Sequence, residues 1–95
     1  MTMHLALLSI KFHLPGCGSL KEKRQCLNGL KDKFGKISNI AVSEANYHDS
    51  LQSAEWHFVV MSQDKIIVEQ QLAQIETVAS TELDAVIESL QREWL

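Results

Sequence analysis

From His4 to Leu14 the even positions read His4, Ala6, Leu8, Ile10, Phe12 and Leu14, and the odd ones Leu5, Leu7, Ser9, Lys11 and His13. A period of two with a mostly apolar even face predicts a half-buried strand. Pro15-Gly16-Cys17-Gly18 breaks it. Ser19-Leu20-Lys21-Glu22 then has the form of a capping box, in which a hydroxyl and a carboxylate satisfy orphan amides reciprocally. Leu20, Leu27, Leu30 and Phe34 follow at helical spacing, so one stripe of this predicted helix faces a core. Gly29 lies off the stripe, and Gly35 is expected to end the helix in a left-handed conformation.

Ile40, Val42, Glu44 and Asn46 alternate with Ala41, Ser43, Ala45 and Tyr47, which predicts a second strand. His48-Asp49-Ser50-Leu51-Gln52 is turn-like, and Ala54, Trp56, Phe58 and Val60 form the apolar face of a third strand. The two strands read as a hairpin. Asp64 is placed to cap a second helix carrying Val68, Leu72, Ile75 and Val78/Ala79. The tail is ambiguous. Leu83, Val86, Ile87, Leu90 and Trp94 fit a helix, whereas the alternation of Ala85, Ile87 and Ser89 with Val86, Glu88 and Leu90 fits a strand less cleanly.

With a final strand the order is β-α-β-β-α-β, the ferredoxin-like arrangement of the α+β class. Right-handed crossovers then put both helices over one sheet face. The other face is expected bare, with Leu5, Leu7, Ser9, Lys11 and His13 beside Glu55, His57, Val59 and Met61. A register that pairs Lys11 with Glu55 also pairs Ser9 with His57 and Leu7 with Val59, matching a charge pair and an apolar pair together. Leu5, Leu7, Val59 and Met61 would form an exposed apolar patch, so they are candidate residues for a homodimer or protein contact.

The chain has 95 residues, 45% hydrophobic and 22% charged, which fits one globular domain and excludes a disordered tail or a disulfide knot. No basic n-region precedes the first strand, and no apolar run reaches a membrane-spanning length, so a cytoplasmic protein with no membrane contact is expected. Cys17 and Cys26 are then expected to stay reduced. The net charge of −3 hides an asymmetry. Residues 1–36 hold seven cations and two acids, a balance of +5, and residues 37–95 hold two cations and ten acids, a balance of −8. A basic patch on an acidic body guides anionic partners.

Lys21, Lys23 and Arg24 fall in the first turns of the first helix, where cations oppose the helix dipole. They call for an anionic ligand such as RNA phosphate or for internal carboxylates. Lys23 falls inside the apolar stripe and Glu44 on the helix-facing side of the second strand, so a buried Lys23–Glu44 pair is expected. Lys21, Arg24, Lys31 and Lys33 are the candidate phosphate contacts, read as spread around the helix rather than gathered on one ridge. The four histidines and two cysteines form no C-x-x-C, H-x-x-H or H-E-x-x-H spacing, so no metal is expected. No histidine base is placed beside Cys17, and His48-Asp49 reads as turn chemistry rather than an acid–base couple. The Pro15–Gly18 loop lacks the arginine that an acylphosphatase-like site would want.

Several of these segments together resemble the YlxP-like family of small bacterial proteins: Phe12-His13-Leu14-Pro15-Gly16, Ser19-Leu20-Lys21-Glu22-Lys23-Arg24, Val42-Ser43-Glu44-Ala45, His48-x3-Gln52, Val59-Val60-Met61-Ser62-x-Asp64 and Glu93-Trp94-Leu95. The resemblance spans the chain. It implies a ferredoxin-like fold, a final strand in place of the tail helix, a cytoplasmic bacterial protein and a gene among those of translation and ribosome maturation. It offers no catalytic residue to carry over, and no cofactor is expected. The resulting expectation is a non-enzymatic accessory protein that meets ribosomal RNA or a ribosome-associated protein through the basic start of the first helix. The alternative is a homodimeric scaffold or small-ligand-binding domain that works through the open sheet face.

Overall fold

The computed structural model describes residues 2–95. Six elements follow one another: β1 (His4–His13), α1 (Leu20–Phe34), β2 (Ile40–Asn46), β3 (Ser53–Ser62), α2 (Lys65–Thr81) and β4 (Val86–Trp94). The strands form one antiparallel sheet in the order β2-β3-β1-β4. This is a ferredoxin-like α+β arrangement. The even residues of β1 and β3 face the helices, and Leu8, Ile10, Phe12 and Phe58 are fully buried. Leu27, Leu30 and Phe34 of α1 and Val68, Leu72 and Ile75 of α2 close the core over them. Phe34 meets Phe58 edge to face at 6.3 Å between ring centres.

Both helices start on the caps that the pattern predicts. Ser19 Oγ accepts from the Glu22 amide at 3.1 Å, and Asp64 Oδ1 accepts from the Ile66 amide at 2.9 Å. The capping box differs in one bond, because Glu22 Oε2 accepts from the amide of Gly18 rather than from that of Ser19. Gly35 departs from expectation. It is right-handed, with φ −67°, because the chain winds onward through bonds from Ile37 to Phe34 and from Ile40 to Ile37. A side chain there would bring Cβ to 2.5 Å from the Lys31 carbonyl oxygen, so close approach is what requires glycine.

The register of β1 on β3 pairs Lys11 with Glu55, Ser9 with His57 and Leu7 with Val59, as the alternation predicts. The charges do not pair across that rung. Lys11 Nζ reaches Glu88 Oε2 at 3.2 Å on the other side, and Glu55 Oε2 lies 2.7 Å from His57 Nε2. A bulge in β4 causes this. Lys11 opposes Ser89 and Phe12 opposes Ile87, which leaves Glu88 as the extra residue beside Lys11. The helix-like periodicity of the tail is overridden: residues 86–94 extend along β1 as an edge strand.

Candidate nucleic-acid interface

On α1, at 100° per residue, Lys21, Arg24, Asn28 and Lys31 fall within an arc of about 80°. They form one exposed ridge, so the four candidate cations are spread around the helix as a set, but three of them are gathered. Lys33 stands half a turn from Arg24 and lies 3.6 Å from Glu82. It therefore leaves the set. Among the described residues, Lys21, Arg24 and Lys31 have no carboxylate within ion-pair distance, whereas Lys11, Lys23, Lys33 and Arg92 each have one.

Lys23 lies at the inner edge of this ridge and is 3% exposed. Its Nζ donates to the carbonyl of Tyr47 at 2.6 Å and to that of Ser50 at 2.8 Å, and stands 3.5 Å from Glu44 Oε2. The two carbonyls are the shorter contacts. They belong to a tight turn closed by the Ser50 amide on the Tyr47 carbonyl at 3.0 Å. Tyr47 turns the chain there with φ 62°. Lys23 thus ties α1 to the β2–β3 connection, and His48 and Asp49 at its tip become part of the same site. The sequence signals both the need for a buried partner at Lys23 and Glu44 as that partner, but not the two carbonyls that make the shorter contacts.

A groove of about 380 Å³ runs between α1 and β2, with Arg24, Asn28 and Lys31 on one rim and His48 and Asp49 on the other. Leu20, Leu27 and Val42 supply apolar wall, and Trp56 of β3 contributes its buried indole. The groove was not foreseen from spacing. Its only sequence signal was an aromatic residue at the helix-facing position opposite Glu44, a pairing the β2–β3 register makes real.

The uncovered sheet face carries the other candidates. Leu5 opposes Met61 and Leu7 opposes Val59; Leu5, Leu7 and Val59 are half-buried and Met61 is exposed. At the other end Lys11 lies 4.9 Å from the centre of the Tyr47 ring. Its bond to Glu88, then the charge of that carboxylate, hold the Lys11 ammonium above its ordinary value. The thiols of Cys17 and Cys26 are free, and burial pushes Cys26 above the usual thiol range. Among the described residues no three His, Cys, Asp or Glu side chains are grouped to hold a metal ion. No helix among them is long and apolar enough to cross a membrane.

Residues 5–92 match the profile of a family described as a protein of unknown function, DUF503. The chain belongs to the DUF503 family. No curated protein matches the sequence. Among solved structures the DUF503 chain is similar to a de novo designed protein, Foldit4, at 10% identity and TM-score 0.58, over 99% of this chain and 97% of the other. It is also similar to part of a Bacillus subtilis dinuclear metal-binding peptidase of the M20 family, at 15% identity and TM-score 0.53. That match covers 98% of this chain and 26% of the peptidase. At these identities the likeness is one of fold.

Proposed function

We propose that this DUF503 member, of YlxP-like type by its Ser19–Arg24 helix start, is a non-enzymatic cytoplasmic accessory protein that binds ribosomal RNA through the α1 ridge. The observation that carries this reading is that Lys21, Arg24 and Lys31, gathered on one stripe, have no carboxylate partner among the described residues. Their acidic surroundings elsewhere on the molecule repel a polyanion and so orient it towards this ridge. Cations near a helix start are unfavourable alone, and phosphate offsets that cost.

Retention of ribosomal RNA fragments on filters at 50 and 200 mM salt tests the reading. Three phosphate contacts to single-stranded RNA imply a logarithmic salt slope near −2, so affinity falls about 20-fold across that range. A Lys21→Ala/Arg24→Ala variant should bind more weakly and keep a slope near −0.7, while Lys33→Ala should bind like wild type. Binding that ignores salt, or survives the double substitution, refutes it.

A second reading rests on a different observation. Leu5, Leu7, Val59 and Met61 adjoin in register on a face that no helix covers, and a second copy of the chain would cover them. Sedimentation equilibrium should then give a dimer that Met61→Asp converts to monomer; a wild-type monomer at 100 µM, a concentration chosen for the assay, excludes it.

A further inference from the structure

Both edges of the sheet are open, because β2 pairs only with β3 and β4 only with β1. Each edge presents a row of unpaired backbone amides and carbonyls, a template for another strand. Edge strands are commonly kept short, charged or covered, yet β4 exposes Leu90 at 40% and Trp94 at 44%. Trp94 opposes Ala6 and Arg92 opposes Leu8, so both lie on the helix-facing side of the sheet. On the same side of the other edge, Val42 opposes Phe58 and Glu44 opposes Trp56. There the groove between α1 and β2 offers the apolar wall of Leu20, Leu27 and Val42. The two edges also differ in charge. Beside β4, Glu76 of α2 holds Arg92, and Glu69 lies about two turns from Glu76 on the same face of α2. Glu69 and Glu93 have no cation within ion-pair distance among the described residues. Beside β2 stands the α1 ridge, whose cations lack carboxylates in the same sense.

These edges complement each other. All neighbouring strands are antiparallel, so β2 and β4 run in opposite directions. The β4 of a second copy can therefore extend the sheet at β2 with antiparallel pairing and with its helices on the same side. A register that sets Trp94 opposite Val42 also sets Arg92 opposite Glu44, and all four residues then share the helix-facing side. The exposed indole ring enters the apolar groove, the guanidinium meets a carboxylate side chain that is 29% exposed, and Glu69 comes alongside the α1 cations. Tryptophan and arginine are the residues that most often anchor protein contacts. We propose that the chain associates head to tail with further copies of itself, the β4 edge of one copy seated on the β2 edge and α1 groove of the next. The two surfaces differ, so the contact is heterologous and builds a ring or an open chain rather than the two-fold dimer of the sheet-face reading. It does not rest on the RNA reading; RNA and a second copy would compete for Arg24.

Sedimentation equilibrium of the full chain, at the concentration used for the sheet-face test, should show species larger than a monomer. Trp94→Ala should weaken the association about 30-fold or more, as for an anchoring residue. Trp94→Glu and Arg24→Glu change exposed side chains, so each should fold and each should be a monomer alone. Their mixture is the decisive sample. Each variant keeps the half that the other lacks, so together they should form a one-to-one pair and grow no further. A two-fold interface built from one patch gives no such complementation. A wild-type monomer overturns the proposal, a reading that depends on no variant. A mixture that stays monomeric overturns it as well. Association that Met61→Asp abolishes and Trp94→Glu leaves unchanged overturns it in favour of the open sheet face. RNA retention by the Trp94→Glu chain tests the ridge separately, since that variant leaves Lys21, Arg24 and Lys31 in place.

Discussion

Replacing Lys23 with methionine removes an ammonium from the base of the groove while keeping most of the apolar stem. The side chain is 4% exposed, so its polar contacts are made away from bulk water. Two bonds to carbonyls are lost, at 2.6 and 2.8 Å, together with the 3.5 Å approach to Glu44. A hydrogen bond involving a charged group contributes roughly 1.5–3 kcal/mol, which sets an upper bound of about 6 kcal/mol for the pair. Three effects lower it. The carbonyls sit in an exposed turn and can bond water, the Glu44 side chain is 29% exposed and stays solvated, and the variant no longer desolvates an ammonium. The expected loss is about 2–3 kcal/mol, or about 10–20 °C in melting temperature for a domain of this size. Urea unfolding followed by tryptophan fluorescence at pH 7 measures it, with the midpoint moving and the slope unchanged. Glu44→Gln separates the contributions and should cost less than about 1 kcal/mol, because that partner is half-exposed and more distant. Amide exchange at Ser50 should quicken in Lys23→Met, since the turn loses its tie to α1. A Lys23→Met stability within about 0.5 kcal/mol of wild type, inside the range of ordinary surface substitutions, would refute this account of how the groove is held.

Ser19→Ala removes the hydroxyl that accepts from the Glu22 amide and should cost about 1 kcal/mol by the same unfolding assay. Gly29→Ala meets nothing within 4 Å on an exposed helix face and should stabilise by about 1 kcal/mol, whereas Gly35→Ala drives Cβ into the Lys31 carbonyl and should destabilise by about 1–3 kcal/mol. In a Cys17→Ser background, alkylation of Cys26 should show a midpoint above the ordinary thiol value of 9.0, because burial disfavours the thiolate. A folded-state value above the unfolded one means that this contribution to stability is present below pH 9.0 and fades as pH rises past it; a midpoint at or below 9.0 contradicts the burial.

The tail shows where local pattern misleads. Ile87 and Leu90 are three apart, as on one side of a helix, yet they oppose Phe12 and Ile10 on the same sheet face. The bulge at Glu88 inserts one residue between them and converts a spacing of two into three. Only pairing with β1 reveals it. Arg92 adds to the disguise, since it occupies a helix-facing position opposite Leu8 and is accommodated there by Glu76 of α2. Charge alone groups Lys33 with Lys21, Arg24 and Lys31, whereas its angle on the helix and its approach to Glu82 at 3.6 Å set it apart.

Alternation along β1 and β3, the apolar stripes of both helices and the Ser19 and Asp64 caps were determined by residues within a few positions of one another. They suffice for the layers, the covered face and the β1–β3 register, because strand and helix periods are local properties of the chain. The groove was decided by tertiary structure alone. Lys23 finds its acceptors 24 and 27 residues away, on a turn whose position follows from how β2 and β3 pair beneath α1. The Trp56 indole N–H goes unpaired only when that same packing closes over it, so the order of the residues signals Lys23 and Glu44 but neither the two carbonyls nor the state of the indole.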